Sequence, residues 1–294
     1  MDDFAVFILT HGRPARLYTY NVIKARGYTG RIVIVVDDLD LTVDKYKATY
    51  GDEVYVFNKR EEARRVDCGD NFDVMQTVLH ARNACFRIAR ELGIRYFLQL
   101  DDDYTYFEYR FDADYRYCSS RGVRNLDAYF AAMLEFFKAS GALTIAASQG
   151  GDFIGGRHNM NAESIHLTRK AMNSFFCDAA RPIQFVGRMN DDVNTYVIGS
   201  SRGDLFLTAN QVSLTQLTTQ QNDAGLTDMY LSFGTYTKSF YTVMMHPSSV
   251  KVSAMGDKHM RLHHRVDWKK TTPMIVGEEH RKVSADPPGP GALE

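Results

Sequence analysis

Residues 95–103 read RYFLQLDDD, an apolar run from Tyr96 to Leu100 that passes directly into Asp101, Asp102 and Asp103. A short continuous apolar run is the pattern of a strand buried on both faces, as in the parallel sheets of α/β proteins. Three adjacent carboxylates repel one another, and such a cluster is favourable mainly where a divalent cation or cationic side chains neutralise it. Ligands of open α/β sheets bind at the carboxyl ends of the strands, where this cluster falls. Alternation puts Asp101 and Asp103 on one side, able to grip one hard metal together. Such a metal completes its shell with phosphate oxygens and water, which implies a phosphorylated substrate such as a nucleotide sugar. The plain alternative is an acidic loop after an edge strand.

Upstream, FAVFIL (4–9) and RIVIVV (31–36) read as two more buried strands, separated by a helix over 15–26 that Gly27 and Gly30 end. A helix over 42–49, a strand over 53–57 and a longer helix over 74–92 follow. Downstream the pattern predicts a helix over 127–140 capped by Asn125 or Asp127, a strand over 143–147, short strands over 164–167, 183–186 and 204–208, and a helix over 191–200. Gly150, Gly151, Gly155 and Gly156 mark a loop able to approach a ligand closely. Residues 210–245 have no clean period, and 286–294, rich in Pro and Gly, read as a disordered tail. No repeat or linker divides the chain. The expectation is one α/β domain, a mixed sheet flanked by helices, with a first half over residues 1–105 and a second over 106–285.

At about 100–200 residues per domain, 294 residues with 45% hydrophobic and 24% charged content suit an ordinary globular chain. Lys+Arg 35 against Asp+Glu 36 leaves a net charge of -1, so any polyanionic partner must be met by a local surface. No apolar run approaches the roughly 18 residues of a membrane span, and the start carries no signal-peptide pattern, so a cytoplasmic location and no membrane partner are expected. Cys68, Cys85, Cys118 and Cys177 form no CxxC pair and are read as reduced thiols, without structural zinc.

Two further groups point at the same strand ends. Arg82, in ARNA (81–84) just before the acidic strand, has a planar fork suited to diphosphate oxygens; otherwise it is a solvated helix arginine. Asp37 and Asp38, ending the second strand, stand where a carboxylate takes ribose hydroxyls in doubly wound sheets. No GxGxxG follows the first strand, which disfavours a dinucleotide fold.

The order of THGR, VVDD, ARNA and LQLDDDYT on successive elements resembles the nucleotide-binding half of GT-A glycosyltransferases, whose DxD motif holds Mn2+ or Mg2+ against a nucleoside diphosphate sugar. More closely, FILTHGRP, YTGRIVIVVDD, GDEVYVFNK, CGDNFD, ARNACF and FLQLDDDYTYF, spread over residues 4–110, resemble the phage TET-associated glycosyltransferases. The resemblance implies a GT-A-like fold and transfer of a sugar, from a UDP-sugar foremost, to a hydroxyl, with 5-hydroxymethylcytosine in phage DNA as acceptor, in an infected bacterial host. It makes residues 1–105 the nucleotide-sugar half and 106–285 the acceptor half, and it places Thr10, Arg13, Asp37 and Asp38 at the nucleoside, Arg82 at the diphosphate or sugar with Asp102 beside it, and Asp101 and Asp103 on the metal. It also gives meaning to Asp191 and Asp192, which open a helix where an acceptor-activating carboxylate sits in inverting GT-A enzymes. Helix capping is the alternative there. A third metal ligand is expected from His259, His263 or His264, with His246 a weaker candidate. The cationic stretch 251–270, with Arg261, Arg265, Lys269, Lys270 and Trp268, is the expected DNA surface. Rival readings are a sugar nucleotidyltransferase, for which THGRP is a poor Gly-rich loop, a protein or lipid glycosyltransferase, and an inactive DNA- or protein-binding domain.

Overall fold

β1 (Phe4–Leu9) is buried at every position because helices cover both faces of the sheet it sits in. It pairs in parallel with β2 (Arg31–Asp37) on one side and β4 (Tyr96–Asp101) on the other, and β2 pairs in parallel with β3 (Val54–Phe57). A computed structural model describes residues 3–72, 74–217, 236–255 and 260–281. The sheet continues beyond β4 through β9 (Ser174–Asp178), β7 (Thr144–Gln149), β10 (Phe206–Gln216), β5 (Tyr104–Phe111) and β6 (Tyr117–Gly122), with the two-residue β8 (Leu167–Thr168) on β10. β9 is antiparallel to both β4 and β7, and β5 is antiparallel to β10. One ten-stranded mixed sheet therefore runs through both halves of the chain.

Alternate residues of β1 enter opposite layers. Val6 and Ile8 pack with α1 (Tyr18–Ala25), α2 (Val43–Tyr50) and α5 (Leu126–Ser140), whereas Ala5, Phe7 and Leu9 pack with α4 (Leu79–Glu91) and α6 (Asp191–Ser201). α5 shows why its residues are helical: Leu126, Phe130, Met133, Leu134 and Phe137 are buried at the spacing of one helix face. Asn125, not Asp127, is its cap and accepts the Ala128 N–H at 2.9 Å. The short helix α3 (Lys59–Ala63) follows β3. After β10 come α7 (Tyr236–Met245), the hairpin β11 (Val250–Met255) and β12 (Arg261–Val266), and the short α8 (Trp268–Thr271).

Several sequence expectations shift. The helix expected over 74–92 begins only at Leu79, because Arg188 holds the residues before it, donating to the Val74 carbonyl while its own carbonyl accepts from Thr77 Oγ1 at 3.0 Å. Residues 183–186 are not a strand: the Phe185 backbone bonds in both directions to the Asn83 side chain of α4, at 3.0 and 3.1 Å, instead of to a neighbouring strand. The strand in that region is β9, and the run expected over 164–167 shrinks to β8. The glycine-rich segment 150–156 forms 3-10 turns away from the large cavity described below. His259 and the tail 286–294 lie outside the described residues. Among the described residues no helix is long and apolar enough to cross a membrane, and all four cysteines are free.

Candidate active site

Only two residues separate β4 from β5, so Asp101, Asp102 and Asp103 occupy a tight turn at the carboxyl end of the parallel strands. Thr19 of α1, fully buried, pins it: its Oγ1 donates to the Asp101 carbonyl at 2.5 Å and accepts the Tyr104 N–H at 2.9 Å, and its N–H reaches the Asp102 carbonyl at 3.1 Å. The three carboxylates then part. Asp101 accepts from Arg82 Nη2 at 3.0 Å, Asp102 accepts from Thr10 Oγ1 at 2.7 Å with Arg13 Nη1 3.3 Å away, and Asp103 accepts from Gln216 Nε2 at 2.8 Å. Burial pushes the Asp103 carboxyl up to about 7, with Asp101 adding to the push. Burial also raises Asp101 and Asp102, opposed by Arg82 and Arg13 respectively.

Arg82 is the hinge between this turn and α6. Its side chain is 2% exposed and lies against the rings of Phe175 and Phe185. Nε is 2.6 Å from Asp191 Oδ2, an ion contact whose N–H points off the line to the oxygen. Nε, Nη1 and Asp191 Oδ2 are thus left without an aligned hydrogen bond among the described residues. Burial alone would lower the Arg82 pKa; Asp101 and Asp191 reverse that and hold the guanidinium charged. Burial drives the Asp191 carboxyl upward against the pull of Arg82.

All of this faces one cavity of about 480 Å3. On its β1–β2 wall, Asp37 accepts from Lys59 Nζ at 3.0 Å and lies 2.7 Å from His11 Nδ1. Burial alone would raise its carboxyl, but His11 and Lys59 outweigh burial and hold it below the usual carboxylate range. Asp38 is exposed and outside the cavity lining; its carboxylate accepts the Lys59 backbone N–H at 2.9 Å. The THGR loop is held by two residues the sequence did not mark. Tyr46 OH is 2.8 Å from Thr10 Oγ1 and accepts the Arg13 N–H at 2.8 Å, while Asp40 accepts the Gly12 N–H at 2.6 Å.

The opposite wall begins at Asn190, whose left-handed backbone, φ 54, starts α6 and turns Asp191 and Asp192 into the cavity. Asn190 Nδ2 donates to the Lys238 carbonyl at 2.8 Å and to Thr242 Oγ1 at 3.0 Å, tying α6 to α7. Asp192 has no ion pair among the described residues. His263 and His264, on β12, both line the cavity and stack with ring centroids 4.4 Å apart. Burial, then His263 and Lys238, lowers His264 to about 4, so it is neutral near pH 7. His246 is turned to Ser249 Oγ and is outside the lining. The CGDNFD motif is structural: Asp70 takes Arg188 Nε at 2.8 Å and Nη2 at 2.9 Å and also accepts from Tyr241, fastening the loop before α4 to α7.

Thr10, Arg13, Asp37, Arg82, the three aspartates of the turn, Asp191, Asp192 and His263 therefore share one cavity. Its lining carries six carboxylates (Asp37, Asp101, Asp102, Asp103, Asp191, Asp192) and four cationic side chains (Arg13, Lys59, Arg82, Lys238), an excess of two carboxylates. Lys59, Gln216 and Lys238 were not legible in the sequence, because each arrives from an element whose placement depends on the tertiary fold.

No curated protein matches the sequence. Among solved structures, the chain is similar to glucosyl-3-phosphoglycerate synthase from Mycobacterium tuberculosis, seen with Mn2+, UDP and phosphoglyceric acid (8% identity, 90% of this chain and 87% of that one, TM-score 0.46). It is also similar to the mannosyltransferase PcManGT from Pyrobaculum calidifontis, in complex with GDP-Man and Mn2+ (12%, 75% and 58%, TM-score 0.44). A third likeness is to S. aureus TarS in complex with UDP-GlcNAc (12%, 78% and 64%, TM-score 0.43). Likenesses at this level transfer no residue role. The model of the TET-associated glycosyltransferases matches residues 4–225, three quarters of the sequence, and the chain belongs to that family of glycosyltransferases.

Proposed function

We propose that the protein transfers a sugar from a nucleoside diphosphate sugar, a UDP-sugar foremost, to the hydroxyl of 5-hydroxymethylcytosine in DNA, with Mn2+ or Mg2+ as cofactor. The observation that carries this reading is the one cavity in which a carboxylate excess meets the buried Arg82 and the partly buried Arg13 at the ends of parallel strands. Asp101 and Asp103 offer oxygen donors to a hard divalent cation: Asp101 keeps 21% of its side chain exposed and Asp103 has one hydrogen-bond donor. Asp101 and Asp103 would hold it. His263 and His264 line the same cavity, but among the described residues neither closes with Asp101 and Asp103 into a three-ligand cluster. When bound, the cation neutralises charge on the leaving diphosphate.

The chain's own residues supply the rest. Asp37, held ionised by Lys59 and His11, accepts hydrogen bonds from ribose hydroxyls. Arg82, with Nη1 unpartnered among the described residues, offers a donor to a diphosphate or sugar oxygen. Asp191 anchors Arg82, which leaves Asp192 as the base: it takes the proton of the acceptor hydroxyl as that oxygen bonds to the anomeric carbon, while the carbon–oxygen bond to the diphosphate breaks and its electron pair leaves with the phosphate. β12 carries His263 into the cavity and presents the exposed Arg265 opposite Lys251, which supports a DNA track along this hairpin toward Lys269 and Lys270. A base within a duplex has to flip out to reach the cavity. The test incubates the protein with hydroxymethylcytosine DNA and a panel of nucleotide sugars, with MnCl2 or with EDTA, and reads nucleoside mass. A hexose-sized gain that needs the metal supports the reading. Modification of a protein or lipid, with DNA untouched, would replace the acceptor. Formation of a nucleotide sugar from a sugar phosphate would replace the reaction.

A further inference from the structure

A second cavity, about 440 Å3, lies against β5 and β6 at the end of the sheet, and nothing above uses it. Arg26, Arg121 and Arg124 line it, together with Tyr106, Glu108 and Asn125. Glu108 is already engaged, with Arg110 Nη2 3.1 Å away and Thr215 Oγ1 donating at 3.2 Å. The three lining arginines make no ion pair among the described residues, and with Glu108 the one carboxylate in the lining the pocket carries a net positive charge. Arg26 lies 5.9 Å from the ring centre of Tyr106, and that ring is half exposed. Unpaired guanidinium groups and an open aromatic face are together the chemistry that recognises a phosphate backbone carrying stackable bases.

Its position sets a register. Tyr106 is three residues past Asp103 and Tyr109, also in the lining, is six past it, about 10–20 Å along β5 at about 3.3 Å per residue. A duplex rises about 3.4 Å per base pair, so that span covers roughly three to six pairs. We propose that this pocket holds the phosphate backbone of the acceptor DNA about three to six nucleotides from the reacting base, an inference that rests on the DNA-acceptor reading.

The test compares wild type with Arg121→Gln/Arg124→Gln, two exposed positions. Acceptors are a 24-base-pair duplex and a dinucleotide, each carrying 5-hydroxymethylcytosine, and duplex affinity is followed against salt by fluorescence anisotropy. The expected result is a raised KM for the duplex with kcat unchanged, unchanged dinucleotide kinetics, and a log affinity against log salt slope shallower by about 1.4–1.8, two contacts at about 0.7–0.9 each. Duplex KM and salt slope equal to wild type would overturn the pocket while wild-type modification of the duplex keeps the acceptor reading. Equal losses on duplex and dinucleotide would mark the arginines as structural and overturn it too. A wild-type protein that neither binds nor modifies the duplex removes the acceptor reading, and this inference with it.

Discussion

Asp103→Asn should make the metal-free protein more stable and the enzyme inactive, and the size of the gain should depend on pH. Burial and the neighbouring Asp101 raise the Asp103 carboxyl from 3.8 to about 7 in the fold. Between those values the folded chain holds a proton that the unfolded chain has released, so wild-type stability falls as pH rises and the loss is complete above about 7. Three units at about 1.4 kcal/mol each give a ceiling of about 4 kcal/mol, reduced as side chains and water adjust. Asparagine keeps the shape and can still accept from Gln216, but carries no charge to bury. At about 2 °C per kcal/mol for a chain of this length, the variant should melt several degrees above wild type at pH 8 in EDTA, with a gap that narrows steadily toward pH 4. Millimolar MnCl2 should raise the wild-type Tm most at pH 8 and move the variant little, since the ion replaces the proton on Asp103. Thermal melts at four pH values, with EDTA and with MnCl2, measure all of this. A variant less stable than wild type at pH 8 in EDTA, or a gap independent of pH, would refute the reasoning.

Arg82→Met leaves Asp101 and Asp191 facing each other without their shared cation, and should cost about 3–5 kcal/mol in urea denaturation. Asp192→Asn should bind the donor as wild type does, by calorimetry, yet transfer at least a hundredfold more slowly, about the lower end of general-base contributions. Asp191→Asn should lower activity without unfolding the chain, because Arg82 loses the contact toward α6 but keeps Asp101; a thermal melt beside the transfer assay checks both. If Asp192 is the base in a single displacement, the product's anomeric configuration is opposite to the donor's, and proton NMR of the modified nucleoside checks it.

The parallel half of the sheet is legible in the sequence because its strands are buried on both faces: FAVFIL, RIVIVV and RYFLQL carry no alternation to misread. The residues that end those runs, Thr10, Asp37 and Asp101, are therefore legible as the rim of a ligand site. β9 is not legible although SFFCD is equally buried, because five residues between loops, polar at both ends, have no period, and its neighbour 183–186 offers a similar signal while its hydrogen bonds go to Asn83. In ARNA the sequence singles out Arg82, yet Asn83 proves equally placed, fixing the loop that delivers α6. Thr19, Tyr46 and Lys59 are illegible for another reason: a threonine, tyrosine or lysine on a helix gives no sequence sign that its polar end will reach a turn from a distant part of the chain.

These silent residues also show how the fold tolerates its site. A turn with three carboxylates is unfavourable by itself, and each carboxylate is quieted differently: Asp101 by a buried guanidinium, Asp102 by Thr10 and Arg13, Asp103 by a proton near pH 7. Only the first two of these remain in force when pH rises, so the least compensated charge lies on Asp103, one of the two carboxylates proposed to hold the metal. Asparagine there would relieve that charge, so on the proposed reading the aspartate trades stability for a ligand charge. The same logic underlies the proposal that Arg82 and Asp191 support the site while Asp192 does the chemistry: Arg82 and Asp191 hold each other in place, whereas the neighbouring Asp192, which makes no ion pair among the described residues, is left to accept a proton from an incoming hydroxyl.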